Sequence, residues 1–266
     1  LEKNLIESNA EITTASGTSA AAEAKTALTA LLADAADYTV KGSFGSATVK
    51  VDAGADARDV AKSFNLSAGT TGINATAITK ASITGLGKAT TISFTLQGKS
   101  SSASTVNATV DSTSNLTALK DAINSVSGAT GISASLTTDL SGINLVQQDG
   151  YDIVIGDVTT SHISGTMTVK VADKSGTAQG TEQTLKGFTT GNDSVAMVGQ
   201  VSLSSHKAFT VTPGDAANHF ATTATAQTST LQSMGAIDIS SQTGATKALS
   251  VIDGAIAMVS EVRSEM

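Results

Sequence analysis

Shifting the chain along itself by 59 positions lays Ser46–Ala75 over Thr105–Ala134 without a gap. Such a repeat constrains the fold strongly, because the same local pattern has to be satisfied twice and the two solutions have to be compatible. Eight positions are identical: Val51/Val110, Asp52/Asp111, Asn65/Asn124, Gly69/Gly128, Thr71/Thr130, Gly72/Gly131, Ile73/Ile132 and Ala75/Ala134. Val60 with Leu119 and Phe64 with Ile123 keep their apolar character. Each copy reads strand, cap, short helix, glycine turn, strand. Asp56 and Asn115 are expected to cap the helices, their side-chain oxygens accepting from first-turn N–H groups. The apolar stripes are Val60 and Phe64 in one copy and Leu119, Ile123 and Val126 in the other. Gly69 and Gly128 suit a left-handed helix stop, after which Thr-Gly-Ile restarts an extended strand.

Outside the repeat the pattern varies. Residues 19–36 are rich in alanine with Leu28, Leu31 and Leu32 on one face, which predicts a helix. Alternation at Ala47, Val49 and Val51 predicts a half-buried strand. Further strands are expected at Ser133–Leu136, Ile143–Val146, Tyr151–Ile155, Met167–Val171 and Val201–Val211, with a linker over 213–230. From Ile237 onward Ala245, Leu249, Ile252, Ile256 and Val259 recur at gaps of 4, 3, 4 and 3, a heptad seam that needs a partner helix. The expected fold class is therefore α+β, with β-rich outer domains of short antiparallel strands and packed short helices, plus a helical coiled-coil stem. The expected divisions are 1–39 (N-terminal helical segment), 40–160 (outer domain with the repeat at 46–75 and 105–134), 161–225 (further β-rich outer region) and 226–266 (start of the stem).

Composition narrows the function. Hydrophobic residues make up 40% of the chain, too many for a disordered one. No cysteine is present, so disulfides and thiolate metal sites are excluded. Aromatics are 3%, which removes most stacking platforms and pocket anchors. A formal charge of −7 opposes phosphate-backbone binding, so no nucleic-acid partner is expected. No apolar run reaches the ~20 residues of a membrane span. The opening Leu1-Glu2-Lys3-Asn4 has neither an initiator Met nor a secretory signal pattern, and the C-terminal helix runs to Met266 without a stop, so flanking segments are expected.

Few residues suggest chemistry. Asp52, Asp56 and Asp59 with Gly54 are metal candidates because spaced carboxylates can converge on a hard cation, but the terminal bidentate Glu of a calcium loop is missing and capping explains Asp56. His162, His206 and His219 fall in no ligand pattern, and no nucleophile elbow, P-loop or dinucleotide fingerprint occurs. Neither an enzyme nor a cofactor is expected.

Ile237–Met266, IDISSQTGATKALSVIDGAIAMVSEVRSEM, resembles the start of the C-terminal conserved segment of bacterial flagellins in its Ile-Asp pair, Gly-Ala step and late Arg. Ala122-Ile123-Asn124 followed by Thr130-Gly131-Ile132 looks like the Ile-Asn motif of flagellins and hook-associated proteins; the first copy departs from it with Phe64 in place of Ile. The resemblance implies an extracellular structural subunit of the flagellar filament, serving motility, whose partners are other flagellin subunits joined through inner helices while the variable middle projects outward. It also implies export without a cleaved signal, and possible surface glycans or a host receptor as further partners. The alternatives are a surface adhesin or polysaccharide-binding flagellin-like protein, and a hook-associated protein. The family's N-terminal helices have no match in residues 1–36, which implies that this stretch alone does not polymerise.

Overall fold

Strand formers dominate the chain, and the computed structural model answers with sheets; it describes residues 2–15, 24, 26, 36–187, 192–214, 220, 225–233, 248 and 252. In chain order the elements begin with β1 (Glu2–Glu7), β2 (Glu11–Ala15), β3 (Ala36–Lys41) and β4 (Ser46–Val51). Two helices, α1 (Ala57–Leu66) and the single turn α2 (Ala68–Thr71), lead to the long β5 (Asn74–Leu86). Then come β6 (Thr90–Gln97), β7 (Ser104–Val110), α3 (Thr117–Ser125), α4 (Ser127–Thr130), β8 (Ile132–Leu136), β9 (Ile143–Gln147) and β10 (Ile153–Thr160). The remainder is β11 (Thr166–Ala172), β12 (Ala178–Lys186), β13 (Ser194–Val198), β14 (Gln200–Ser205), β15 (Thr210–Pro213), β16 (Gln227–Thr228) and β17 (Thr230–Ser233). All strand pairs are antiparallel.

Three sheets result. One runs β12-β11-β5-β14-β1-β17, with the β8–β9 hairpin joined to it through β5; the second runs β2-β13-β10-β6-β7; the third runs β16-β15-β3-β4.

The α+β expectation with a coiled-coil stem is corrected: the protein is β-rich, and among the described residues there are four short helices and no long stem. Thr, Val, Ile and Ser supply pleated, half-buried faces that suit strands. Each helical run in the repeat is stopped by a left-handed glycine within a few turns. Of the seam residues, Ala245, Leu249, Ile256 and Val259 lie outside the described residues; Ile252 is helical and exposed. The helix expected over 19–36 also lies largely outside them, although Ala24 and Thr26 are helical and Ala24 is buried, its carbonyl accepting from the Thr13 hydroxyl at 2.9 Å.

The repeat takes shape as two like units. The second is continuous: the β6–β7 hairpin, α3, α4, then β8, β9 and β10, with β10 returning to pair with β6. The first has the same order, the β3–β4 hairpin, α1, α2 and β5, but its last two strands are β14 and β15, which return to pair with β5 and β3. Leu203 lies opposite Ala75 as Leu145 lies opposite Ala134. The first unit is thus interrupted between its third and fourth strands, and the second unit sits within the interruption.

Each unit has its own core. Tyr38, Val40, Val49, Val51, Val60, Phe64, Ile73, Leu203 and Val211 pack in the first. Ile92, Phe94, Val106, Leu119, Ile123, Ile132, Leu145 and Ile155 pack in the second, extended by Ile83, Val169, Leu185 and Val195. Burying one such side chain contributes about 1.5–3 kcal/mol. β5 serves both: Ala75 faces the first core, whereas Ala81, Ile83 and Leu86 face the second. Its N-terminal half pairs with β14, and farther along it pairs with β9 on one side and β11 on the other.

Candidate functional site

The next-to-last residue of each unit's main helix is an asparagine whose amide is engaged at both its nitrogen and its oxygen. Asn65 donates from Nδ2 to the Ala75 carbonyl at 2.9 Å and accepts from the Ala75 N–H at 2.8 Å. Asn124 makes the same two bonds to Ala134, at 2.9 and 2.8 Å. A side-chain amide offering one donor and one acceptor to both polar groups of a single residue reproduces what a neighbouring antiparallel strand would offer. Among the described residues β8 pairs only with β9, and Asn124 closes its outer side; Asn65 likewise closes β5 where β5 has β14 alone on its other side.

The turn between helix and strand is equally matched. The Thr71 hydroxyl donates to the Ser67 carbonyl at 3.0 Å and accepts from the Ile73 N–H at 3.3 Å. The Thr130 hydroxyl donates to the Val126 carbonyl at 3.1 Å and accepts from the Ile132 N–H at 3.2 Å. Both threonines are fully buried, so their hydroxyls are satisfied locally. The left-handed residues are Gly72 (φ 71°) and Gly131 (φ 70°), not Gly69 and Gly128, which lie inside the one-turn helices α2 and α4. The stop is displaced by three residues because each main helix is followed by a further turn before the strand begins. A Cβ on Gly42 or Gly98 would collide with the carbonyl of Thr71 or Thr130, so each hairpin passes close over its unit's turn.

Asp56 caps α1 as expected, its Oδ1 accepting from the Asp59 N–H at 2.8 Å. Asn115 does not cap α3: Leu116 is the cap residue and has no side-chain bond to offer, while Asn115 Oδ1 accepts from the N–H and hydroxyl of Thr117 at 3.1 and 2.7 Å. The Leu116 N–H is taken instead by the Leu140 carbonyl at 2.9 Å.

The metal candidates do not converge. Asp56 is engaged in capping, Asp59 pairs with the Arg58 guanidinium at 2.7 Å, and Asp52 is exposed at the end of β4. Among the described residues no group of three acids or histidines is placed to hold a metal ion. His162 accepts the Ser164 N–H on Nδ1 at 3.0 Å, His206 lies in the turn after β14, and His219 lies outside the described residues. Two carboxylates are perturbed: burial raises the pKa of Glu11, and hydrogen bonds from Thr137 and Ser141 lower that of Asp139.

A cleft of about 390 Å³ lies where the first unit meets the loop after β9, lined by Arg58, Lys62, Leu66, Ala77 and Asp149 among others. Arg58 forms the joint: its N–H donates to the Gly150 carbonyl at 3.1 Å and its guanidinium lies 4.3 Å from the centre of the Tyr151 ring.

The asparagine clamps were legible as identities in the repeat but not as a function. The signal was an amide at the end of each helix, ten residues before an identical alanine. Capping concerns the free N–H groups at helix starts and assigns no role to an asparagine near a helix end.

Residues 91–149 match the Flagellin hook IN motif. The B-type flagellin of Pseudomonas aeruginosa is 29% identical over 150 residues, covering 56% of this chain and 30% of that protein, so the chain spans under a third of the curated relative it matches. The crystal structure of the flagellar cap protein FliD D1-D2-D3 domains from Escherichia coli is similar at 14% identity over 92% of this chain and 68% of that one, with a TM-score of 0.21, too low to equate the folds. The matched motif begins at the second residue of β6 and ends just past β9, taking in the Asn124 clamp, and over these stretches the chain is similar to flagellins.

Proposed function

We propose that this chain is the exposed body of a structural subunit of the bacterial flagellar filament, acting outside the cell in motility and assembling with other copies of the subunit when the protein is full length. The hook IN motif over residues 91–149 carries the reading, and the similarity to B-type flagellin over 150 residues supports it. The flagellin family is structural, and a body whose matched residues are spent on satisfying its own backbone suits a scaffold better than a catalyst. Purified full-length protein, seeded and brought to polymerising salt, is expected to form filaments visible by negative-stain electron microscopy. Monomers alone, across a salt series with and without seeds, would overturn the proposal.

A further inference from the structure

We propose that β7 is a pairing edge for a second copy of this chain, the two β7 strands lying antiparallel about a two-fold axis through Asn107. Among the described residues β7 ends its five-stranded sheet and pairs only with β6. Among the described residues no backbone group pairs with its outer side. Its seven residues, Ser-Thr-Val-Asn-Ala-Thr-Val, hold no charge, proline or glycine. Val106, Ala108 and Val110 are buried beneath, while Thr105, Asn107 and Thr109 are exposed above. An uncharged strand with an open row of N–H and C=O groups is a template for another strand.

The other edges are guarded. β8 is closed by Asn124. β12 carries Glu182 and Lys186, β2 carries Glu11, and β16 and β17 are two and four residues long. The sharpest contrast is with β4, the counterpart of β7 in the first unit: at the position of Thr109 it has Lys50, a common device against edge pairing. One unit keeps the guard and the other lacks it.

The edge is also complementary to itself. A two-fold at Asn107 sets Thr105 opposite Thr109 twice and Asn107 opposite its own copy, pairs that hydrogen-bond across strands. Asp111 falls opposite Ala103, so no like charges meet. Two five-stranded sheets become one of ten strands.

The test is sedimentation equilibrium on this chain from micromolar to millimolar concentration, where a concentration-dependent dimer is expected. Thr109→Lys, which installs the residue the first unit already carries, is expected to weaken the dimer roughly tenfold or more without lowering the melting temperature. Because the chain has no cysteine, Asn107→Cys is expected to give a disulfide-linked dimer on oxidation, and Thr48→Cys at the matching site of β4 is not. A chain monomeric at millimolar concentration, a dimer indifferent to Thr109→Lys, or cross-linking as ready through Thr48→Cys as through Asn107→Cys would overturn the proposal. Filament growth is measured on the full-length protein, so the two proposals fail separately.

Discussion

The first unit builds its core on rings and the second on aliphatic chains. Tyr38, Phe64 and Phe220 surround one another with centroids 5.4 to 5.6 Å apart. Where the first unit has Tyr38 and Phe64 the second has Ile92 and Ile123, yet opposite Val106 it places Phe94 where the first unit has Val40 opposite Ala47. Apolar volume has been moved among positions, as cores tolerate when the total is kept. The polar devices have not moved: Asn65 and Asn124, Thr71 and Thr130, and Gly72 and Gly131 keep the same identities and nearly the same geometry. Apolar packing is interchangeable because it has no direction, whereas a backbone N–H accepts very few substitutes for its partner.

That contrast can be broken most forcefully at Phe64. Phe64→Ala should cost about 3–5 kcal/mol in urea unfolding. Phe64→Ile, which brings in the second unit's residue, should still cost about 1–3 kcal/mol, because Tyr38 and Phe220 lose the ring between them. A neutral Phe64→Ile would mean that the two cores are interchangeable site by site. Next in size are the clamps. Asn65→Ala should cost about 1–3 kcal/mol, and Asn124→Ala somewhat less, because Ala75 is buried whereas Ala134 is half-buried and water can reach its freed groups. Thermal melts showing no loss from either would reduce the shared asparagines to coincidence.

The smallest effect concerns the two edges of the second unit's sheet. Glu11 guards β2 at the cost of partial burial, which raises its folded pKa. A raised carboxylate disfavours the fold above its folded pKa and ceases to do so below the unfolded value. Glu11→Gln should therefore raise the melting temperature slightly at neutral pH, a gain reduced by solvent screening, and the gain should vanish as pH falls through the carboxylate range. A gain unchanged at low pH would assign the effect to packing.

Much of each unit could be read from residues. The alternation at Ala47, Val49 and Val51 became β4, the Val60 and Phe64 stripe became the buried face of α1, and Asp56 caps it. The preceding strands escaped because the hairpins differ in length: Lys41 pairs with Ser46 as Thr95 pairs with Thr105, so the spacing between copies is 59 after the hairpin and 95 − 41 = 54 before it. A gapless comparison cannot cross that change. The closing strands of the first unit fall in the expected strand region Val201–Val211, but their place in that unit is not legible, because residues 87–199 stand between β5 and β14 and no local periodicity reports a partner that distant. Asn115 misled because a capping residue type one position too early still finds a local bond with Thr117.

β5 also has a mechanical meaning. It is one uninterrupted strand through both cores, hydrogen-bonded along its length to β14, then to β9 and β11. No loop interrupts β5 between the two cores, so bending one unit against the other has to distort a strand that is hydrogen-bonded to its neighbours. Continuity of β5 therefore ties the position of the second core to that of the first.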